Sequence, residues 1–525
     1  MAPSWFRRLP AFLIVLLVIV CVPHNISAAM ASERTTFYIA PTGSNWSNGK
    51  SPEKPFKTFA HAFRKMDAGD ELILLDGVYS TAAGTGYISY TDPSTGIGDS
   101  NTDQIPSGID ASHLTYIHAL NPGNVTIIGR LVIGRSFQKH SYIKIQGLTF
   151  EGGGSLFNAD YITVKDCGFH GAFGIGSNDH KQGSDHNLIE DVWIWASGER
   201  IIAINYRSRF NVWRRVLVRG DGCGTRGCRG EGNPNVGITV YDSSNISLQN
   251  VMVVDRVLAK DDSPYADFAV AQHTPGAYFF GQNEWLGTLS LRAPDTAYYM
   301  EPDHDGTIDP TIKISNAVAW DAAELGFNLS RAGTNNLIEN VTVRALGGDG
   351  VRVSPKLTSG ILRNVISVDA GQHGINSRYS PSHVNVHNAQ TGPYRQTTCE
   401  TGCYTSNPRS DGPTPSLMHL VRIEPHSFLK GRGYQGGDIG ANILYRYGVD
   451  GVRYGEANFN TLGSDPLWPW PNEKRIKEEM CAKSGVTRGF CQKESLTHYI
   501  WEYLGNPIPD DPYRPPAKPT QKQSR

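Results

Sequence analysis

The sequence predicts an all-β solenoid, a right-handed parallel β-helix, and three observations carry that reading. First, one short phrase keeps restarting between Asn124 and Asp369: alternating apolar residues, a small polar or amide residue, then a second apolar run. It reads SYIKIQGLTF from Ser141, DYITVKDCGF from Asp160, NLIEDVWIW from Asn187, FNVWRRVLV from Phe210, NISLQNVMVV from Asn245, TIKISNAVAW from Thr311, NLIENVTVR from Asn336 and GILRNVISV from Gly360. Most restarts fall roughly 19 to 28 residues apart, the period of solenoids whose rungs are strands. Second, apolar residues alternate within the phrase, as at Ile143 and Ile145 or Ile312 and Ile314, which is strand spacing. Third, Asn250, Asn316, Asn340 and Asn364 recur where the first strand of a rung ends. Asparagine tolerates the left-handed conformation a tight corner needs, and stacked copies form a ladder.

The ends of the chain carry different signals. Residues 1–29 read as a signal peptide: Arg7 and Arg8 form the basic start, Ala11 to Pro23 the apolar stretch, and Ser27, Ala28 and Ala29 the cleavage site. Its apolar stretch is shorter than the roughly 20 residues of a membrane span, so the expectation is a secreted or periplasmic protein with no stable membrane insertion. Residues 37–80 read as an N-terminal cap, with Pro55 opening a short helix whose Phe56, Phe59, Ala60 and Phe63 share a face and whose stop is Gly69. Such a helix closes the apolar cross-section at the open end of a coil. The rungs occupy 81–390. A loop-rich, helical C-terminal cap spans 391–506, with helices expected from Asn472 to about Lys483 and from Ser495 to Leu504. The Pro-rich tail 507–525 lacks the apolar residues to order itself.

Charge and cysteines narrow the function. With 49 basic and 50 acidic residues the net charge is −1, without the basic excess of a nucleic-acid binder. Without Cys21 of the signal, six of the remaining cysteines fall into close pairs: Cys223 with Cys228, Cys399 with Cys403, and Cys481 with Cys491. Disulfides are the expectation for an oxidising compartment. Cys167 is left over in an apolar slot of its rung, where a buried, inert thiol is expected.

The block FYIAPTGSNWSNGKSPEKPFKTFAHAFRKMDAGDELILLDGVYS, from Phe37 to Ser80, resembles the beginning of secreted bacterial parallel β-helix proteins of the pectate-lyase-like superfamily. With the rungs, the resemblance runs to about Asn376. It implies a carbohydrate-active protein whose function lies on outward side chains. One outward row precedes the corners: Gln146, Lys165, Glu190, Arg214, Gln249, Ser315, Glu339 and Arg363. Alternation places these in solvent, as a plain charged face or a groove for a polymer. A second row comes from the strands before the corner-bearing ones and gathers Tyr241, Tyr299, Glu301, Asn328, Arg331, Arg352, Asn376 and Arg378.

Within that second row, Glu301, Pro302, Asp303, His304 and Asp305 resemble the acid, Pro, His, Asp signature of the alginate C-5-epimerases, with Asp303 interposed and Glu301 in place of the usual Asp. The resemblance implies proton abstraction alpha to a uronate carboxylate. His304 would transfer the proton, Asp305 or Asp303 would orient it, Arg331 would pair with the carboxylate and Tyr299 would supply the complementary proton. Tyr241, Asn328, Arg352, Asn376 and Arg378 would bind the polymer. Clustered aspartates with a basic residue, as at Lys260, Asp261 and Asp262, resemble the calcium sites of pectate lyases of this fold. Calcium is therefore the one cofactor expected, at Asp261, Asp262 and Asp303. The reading is a monomeric, secreted enzyme acting on an acidic polysaccharide or exopolysaccharide, a lyase or epimerase. A glycoside hydrolase using Glu301 with Asp303 or Asp305 and a noncatalytic glycan-binding surface or matrix protein are the alternatives.

Overall fold

The chain divides into Met1–Arg34 and Thr35–Arg525. The computed structural model describes residues 34–89, 105–134, 139–177, 183–222, 235–257, 267–273, 281–301, 311–329, 335–354 and 359–504. The expected signal peptide, the tail from 507 and the expected Cys223 and Cys228 pair lie outside them.

From Thr36 to Tyr404 the chain coils as a parallel β-helix. One sheet of 20 strands and another of 11 are built from successive turns, and neighbouring turns pair in parallel register. Leu188–Ala196, for example, lies beside Val212–Gly220 from Leu188↔Val212 to Ala196↔Gly220. The 20-stranded sheet bends at a corner whose residues are left-handed: Asp166, Asp191, Arg215, Asn250, Asn316, Asn340 and Asn364 all have φ between 49° and 56°. The four asparagines sit there as their spacing predicts, and the Asn364 side-chain amide donates to Asn340 Oδ1 at 2.7 Å. Arg215 is an unusual occupant of that conformation, held by its bonds to Asp191 on the preceding turn at 2.5 and 2.9 Å.

Inward residues form one continuous core along the coil, including Ile145, Val164, Ile189, Val216, Leu248, Ile314 and Ile338. Rings stack between turns, Phe150 on Phe169 at 5.0 Å and Tyr298 on Phe327 at 4.5 Å. Cys167 is fully buried, and burial pushes its thiol up to about 12. At the N-terminal end the helix runs Phe59–Lys65 and starts later than Pro55, because the Thr58 hydroxyl accepts from the His61 amide at 3.1 Å and caps it. Phe56 stays extended and bridges Ile39, and Ala62 rather than Ala60 joins the buried face.

The C-terminal residues lie along the flank of the coil. A second core joins the outer face of the strands after the corner to the last hundred residues. Trp193, Trp195, Leu217, Met252, Leu289, Val318, Trp320 and Ile366 meet Leu420, Ile443, Trp468, Trp470, Ile476, Met480, Ile500 and Trp501 there. The expected helices are present as Glu473–Lys477, continuing as a π-helix to Lys483, and Leu496–Glu502. Ser495 caps the latter by accepting from His498 N at 3.1 Å. Asn472 does not cap its helix: it is itself left-handed, and its amide donates to Asp166 Oδ1 at 2.9 Å. Cys399–Cys403 and Cys481–Cys491 are disulfides. Among the described residues no helix is long and apolar enough to cross a membrane.

This covering overturns one expectation. Along the row before the corners, Glu190, Arg214 and Gln249 are fully buried, whereas Gln146, Lys165, Glu339 and Arg363 keep partial exposure. The stretch from Val449 to Asn460 lies over the buried three. Arg214 donates to the carbonyls of Val449, Val452 and Phe459 at 2.6, 3.0 and 2.9 Å, and Gln249 donates to the Phe459 carbonyl at 2.9 Å. At these three positions the outward polar residues dock the chain's own backbone, which closes the middle of that row. Beneath the stretch, Lys165, Arg214 and Arg215 compensate Glu190, Asp191 and Asp450 in one cluster. Removing one partner from a buried ion cluster leaves an uncompensated charge. Arg215→Met is expected to lower stability by about 3 to 5 kcal/mol, read from urea unfolding at neutral pH.

Candidate active site

With one flank of the corner covered and the middle of the other closed, the 11-stranded sheet supplies the coil's remaining long face. Its strands align residue by residue: Tyr206, Tyr241, His273 and Glu301 share one row. Two positions earlier, on the same side by alternation, run Thr239, Ala271, Tyr299, Asn328, Arg352, Asn376 and Arg395. Neighbouring rungs sit about 4.8 Å apart, so these two rows bring residues separated by up to a third of the chain into one trough.

His273 occupies the middle of it. Its Nδ1 lies 3.1 Å from Thr239 Oγ1, and its ring is flanked by Tyr241 at 5.9 Å, Tyr299 at 5.6 Å and Phe268 at 5.9 Å. Phe268 and Tyr299 stack at 4.1 Å with planes 6° apart. Burial, and secondly the positive charge of Arg200, lower the imidazole pKa to about 4. Burial likewise lowers that of Arg200, opposed by Tyr241. At neutral pH the imidazole is uncharged. With Nδ1 protonated and donating to Thr239, Nε2 holds a lone pair and can accept a proton. Phenols and a guanidinium surround it, the groups needed to move a second proton and to hold a carboxylate.

A cleft of about 360 Å³ continues the trough, lined by Asn328, Arg352, Asn376, Arg395 and Gln396. Asp349, which is 1% exposed, holds two of these lining residues from outside the cleft. Asp349 accepts from the His373 amide and ring at 3.1 Å each and from the Asn376 side chain at 2.8 Å, and lies 3.7 Å from Arg352 Nε. Its charge fixes Asn376 and Arg352 before any ligand arrives. Arg395 has no carboxylate at ion-pair distance among the described residues.

Of the residues expected from sequence, the structure brings Tyr241, Tyr299, Asn328, Arg352 and Asn376 onto this face, with Glu301 as the strand partner of His273. Arg378 is exposed just beyond the strand that carries Asn376. His304, Asp305, Asp303, Arg331, Lys260, Asp261 and Asp262 lie outside the described residues. Asp255 is structural, its Oδ2 accepting from the Phe490 amide at 2.9 Å. Sequence reasoning missed Arg200, Thr239, His273, Asp349 and Arg395. The signal for His273 was present in DFAVAQH from Asp267, an alternating segment inside what read as a charged excursion.

Among the described residues the acidic side chains close enough to share a cation are Glu190, Asp191 and Asp450. They do not fit calcium, because Lys165, Arg214 and Arg215 already bond their oxygens.

No protein-family model matches the chain, and no curated protein does. Solved structures of similar architecture include pectate lyase Pel9A, with 15% identity over 79% of this chain and 97% of that one at a TM-score of 0.44. XylC in complex with xylose has 9% identity over 71% and 87%, TM-score 0.45. The PL6 family polysaccharide lyase Pedsa3628 from Pseudopedobacter saltans has 12% over 72% and 95%, TM-score 0.34. The fold is a parallel β-helix, as the parallel register of successive turns shows by itself. The likeness is one of fold, and what this β-helix does rests on its own side chains.

The depressed pKa of His273 carries a stability consequence. Its folded value of about 4 lies below the ordinary histidine value of about 6.5, so the unfolded chain takes up the proton first. The associated stability is complete above about pH 6.5 and is lost as pH falls toward 4, by up to about 1.4 kcal/mol per pH unit. Urea midpoints at pH 7 and pH 5 are expected to differ less for His273→Gln than for the native chain.

Proposed function

We propose that this protein is a secreted polysaccharide-modifying enzyme, a lyase or epimerase that removes the proton alpha to the carboxylate of a uronate in an acidic polysaccharide. The observation that supports it most is the buried, uncharged His273 between Tyr241 and Tyr299 on the one long face the chain leaves uncovered. The substrate carboxylate pairs with Arg200, which neutralises the charge that, after burial, keeps the imidazole pKa low. His273 becomes more basic at the moment it is needed. Its Nε2 takes the proton from the carbon alpha to the carboxylate. In elimination, the electrons of that bond form the new carbon–carbon double bond as the glycosidic carbon–oxygen bond breaks, and Tyr299 or Tyr241 delivers a proton to the departing oxygen. In epimerisation the same phenol returns the proton to carbon from the opposite side. Glu301, His304 and Asp305, which follow Tyr299 in the chain, remain part of the proposal as proton-transfer and orienting groups, and Arg331 as a further partner for the carboxylate.

The cleft at Arg352 and Arg395 binds further carboxylates of the same polymer, so the chain lies along the coil axis. Two disulfides fit an extracytoplasmic location, and the protein acts as a monomer. Calcium at Asp261, Asp262 and Asp303 is tested by a chelator arm in the same assay, in which chelation abolishes turnover.

The deciding experiment incubates the mature protein with anionic and neutral polysaccharides and follows unsaturated-uronate absorbance, reducing ends and deuterium uptake from solvent. His273→Ala is expected to lower turnover on the acidic polymer by about 10² to 10⁴-fold while polymer retention in affinity gels stays native. Equal loss of turnover and retention points to a binding protein, and loss at His304→Ala alone moves the base to that residue. A variant combining Arg352→Ala with Arg395→Ala is expected to raise KM about tenfold or more with kcat nearly unchanged, because those groups bind uniformly rather than in the transition state.

A further inference from the structure

The trough does not stop at Tyr206. Its sheet continues toward the N-terminal end of the coil through Ile201–Tyr206, Phe173–Gly176 and Gly154–Phe157, in parallel register. The inward residues Ala203, Phe173, Ile175 and Leu156 belong to the core, so alternation carries both outward rows onward. Ile204, Gly174 and Ser155 continue the row of Thr239, and Tyr206, Gly176 and Phe157 continue the row of Tyr241.

The two ends of this face differ in chemistry. The strands GSLF, FGIG, IIAINY and NVGITVY, the last of which ends at Tyr241, contain no charged residue. Beyond His273, by contrast, Arg352, Arg378 and Arg395 are exposed on successive rungs. Shape differs as well. Gly176 leaves its outward position without a side chain between half-buried Phe157 and Tyr206, whose rungs stand two spacings of about 4.8 Å apart. A methyl group at Gly176 would meet Tyr206 at 3.6 Å and nothing nearer, whereas one at Gly174 would lie 2.9 Å from Ile204 Cγ2, which covers that position. Arg207 lies over the Tyr206 ring at 4.8 Å, and its charge is met by buried Asp242 at 3.3 Å. The result is a slot with an aromatic ring on either side and an apolar floor, a lining that suits the C–H faces of a pyranose.

A carboxylate laid on these rungs would give up water without gaining a cation. An uncharged ring loses little there and gains apolar contact. Over the three arginines the preference reverses. We infer that the trough takes a mixed polymer, with an uncharged sugar unit over Phe157, Gly176 and Tyr206 and uronates from His273 toward Arg395. The inference rests on the reading of the trough as the polymer's track and names the substrate class: the uronate processed is joined on one side to a neutral sugar or an esterified uronate. A polyuronate with every carboxylate free matches one half of the face only.

The test measures retention in affinity gels of the mature chain carrying His273→Ala, so that no polymer is consumed. Polygalacturonate and alginate are the fully acidic probes, deacylated gellan, which links each glucuronate to neutral sugars, is the mixed one, highly methyl-esterified pectin the esterified one, and hydroxyethylcellulose the neutral one. Gellan or esterified pectin is expected to be held about tenfold more tightly than either polyuronate, and the one preferred tells neutral sugar from ester. Phe157→Ala and Tyr206→Ala are each expected to weaken that retention several-fold and to leave polygalacturonate unaffected. Gly176→Lys, at a position without left-handed backbone, is expected to raise polygalacturonate retention several-fold and to cost the mixed polymer its advantage. Polyuronates held as tightly as gellan and esterified pectin overturn the inference, as do hydroxyethylcellulose held equally and retention unaltered in all three variants. Turnover of polygalacturonate by the native chain without this preference would leave the enzyme reading standing and remove this one, and the expected order of retention without turnover would do the reverse.

Discussion

Two rows of side chains flank each corner of the coil, and residues 417–504 cover one of them and the middle of the other. Behind the corner the cover is apolar: Trp193, Trp195, Trp320 and Ile366 meet Trp468, Met480, Ile500 and Trp501. In front of it the cover is polar, with Arg214 and Gln249 bonded to backbone carbonyls of the stretch from Val449 to Phe459. Desolvating a guanidinium is expensive unless its hydrogen bonds are replaced. Arg214 is fully buried and makes bonds to three carbonyls, Glu190 and Gln249, which is what allows the cover to close. The consequence is geometric, since among the described residues this cover leaves the 11-stranded sheet as the coil's remaining long face.

On that face, burial and charge act together on His273. Its neighbours Phe268, Tyr241 and Tyr299 remove water, and Arg200 adds a positive potential, so the imidazole stays neutral well into acid. A neutral imidazole beside an arginine is a resting state that an anionic substrate relaxes. The same pairing would do nothing for a neutral sugar, because a neutral ring leaves the guanidinium charge in place. On the proposed reading, discrimination for uronates would arise from the coupling of two charged groups. The Asp349 cluster three rungs beyond acts by a different principle, holding Arg352 and Asn376 in place by a buried carboxylate with several donors.

The rungs were legible because their chemistry is local. Alternation at Ile143 and Ile145, and the asparagines at 250, 316, 340 and 364, specify strand and corner within one turn of the coil. The cover was also written in the sequence, in a sign that went unread. The strand before a corner alternates, as in IKIQ, whereas the strand after it is continuously apolar, as in VWIW from Val192 and AVAW from Ala317. A strand apolar at every position is buried on both faces. The trough was half legible: Tyr241, Tyr299, Asn328 and Arg352 followed from periodicity. His273 did not, because charged residues from Asp255 to Asp262 made its strand look like a loop. Asp349 escaped for another reason, since it acts through contacts with residues of the next turn that no local pattern encodes.

A solenoid is ordinarily stabilised rung by rung, each turn sensing only its neighbours. Here the corner asparagines link turns that are far apart. Asn250 Oδ1 accepts from Tyr447 N at 2.8 Å, Asn316 Oδ1 from Asn442 N at 3.2 Å and Asn364 Oδ1 from Tyr434 N at 2.8 Å. Further back, Glu479 accepts from Thr149 and from the Trp193 indole at 2.7 and 2.8 Å. One contiguous stretch, from Tyr434 to Glu479, is therefore bonded to turns from Thr149 to Asn364. A slip of a single rung would put each of these groups about 4.8 Å out of place, breaking every docking bond at once. The C-terminal chain thus converts nearest-neighbour stacking into a cooperative unit, and it fixes the register on which the trough's alignment of Arg200, His273 and Arg352 depends.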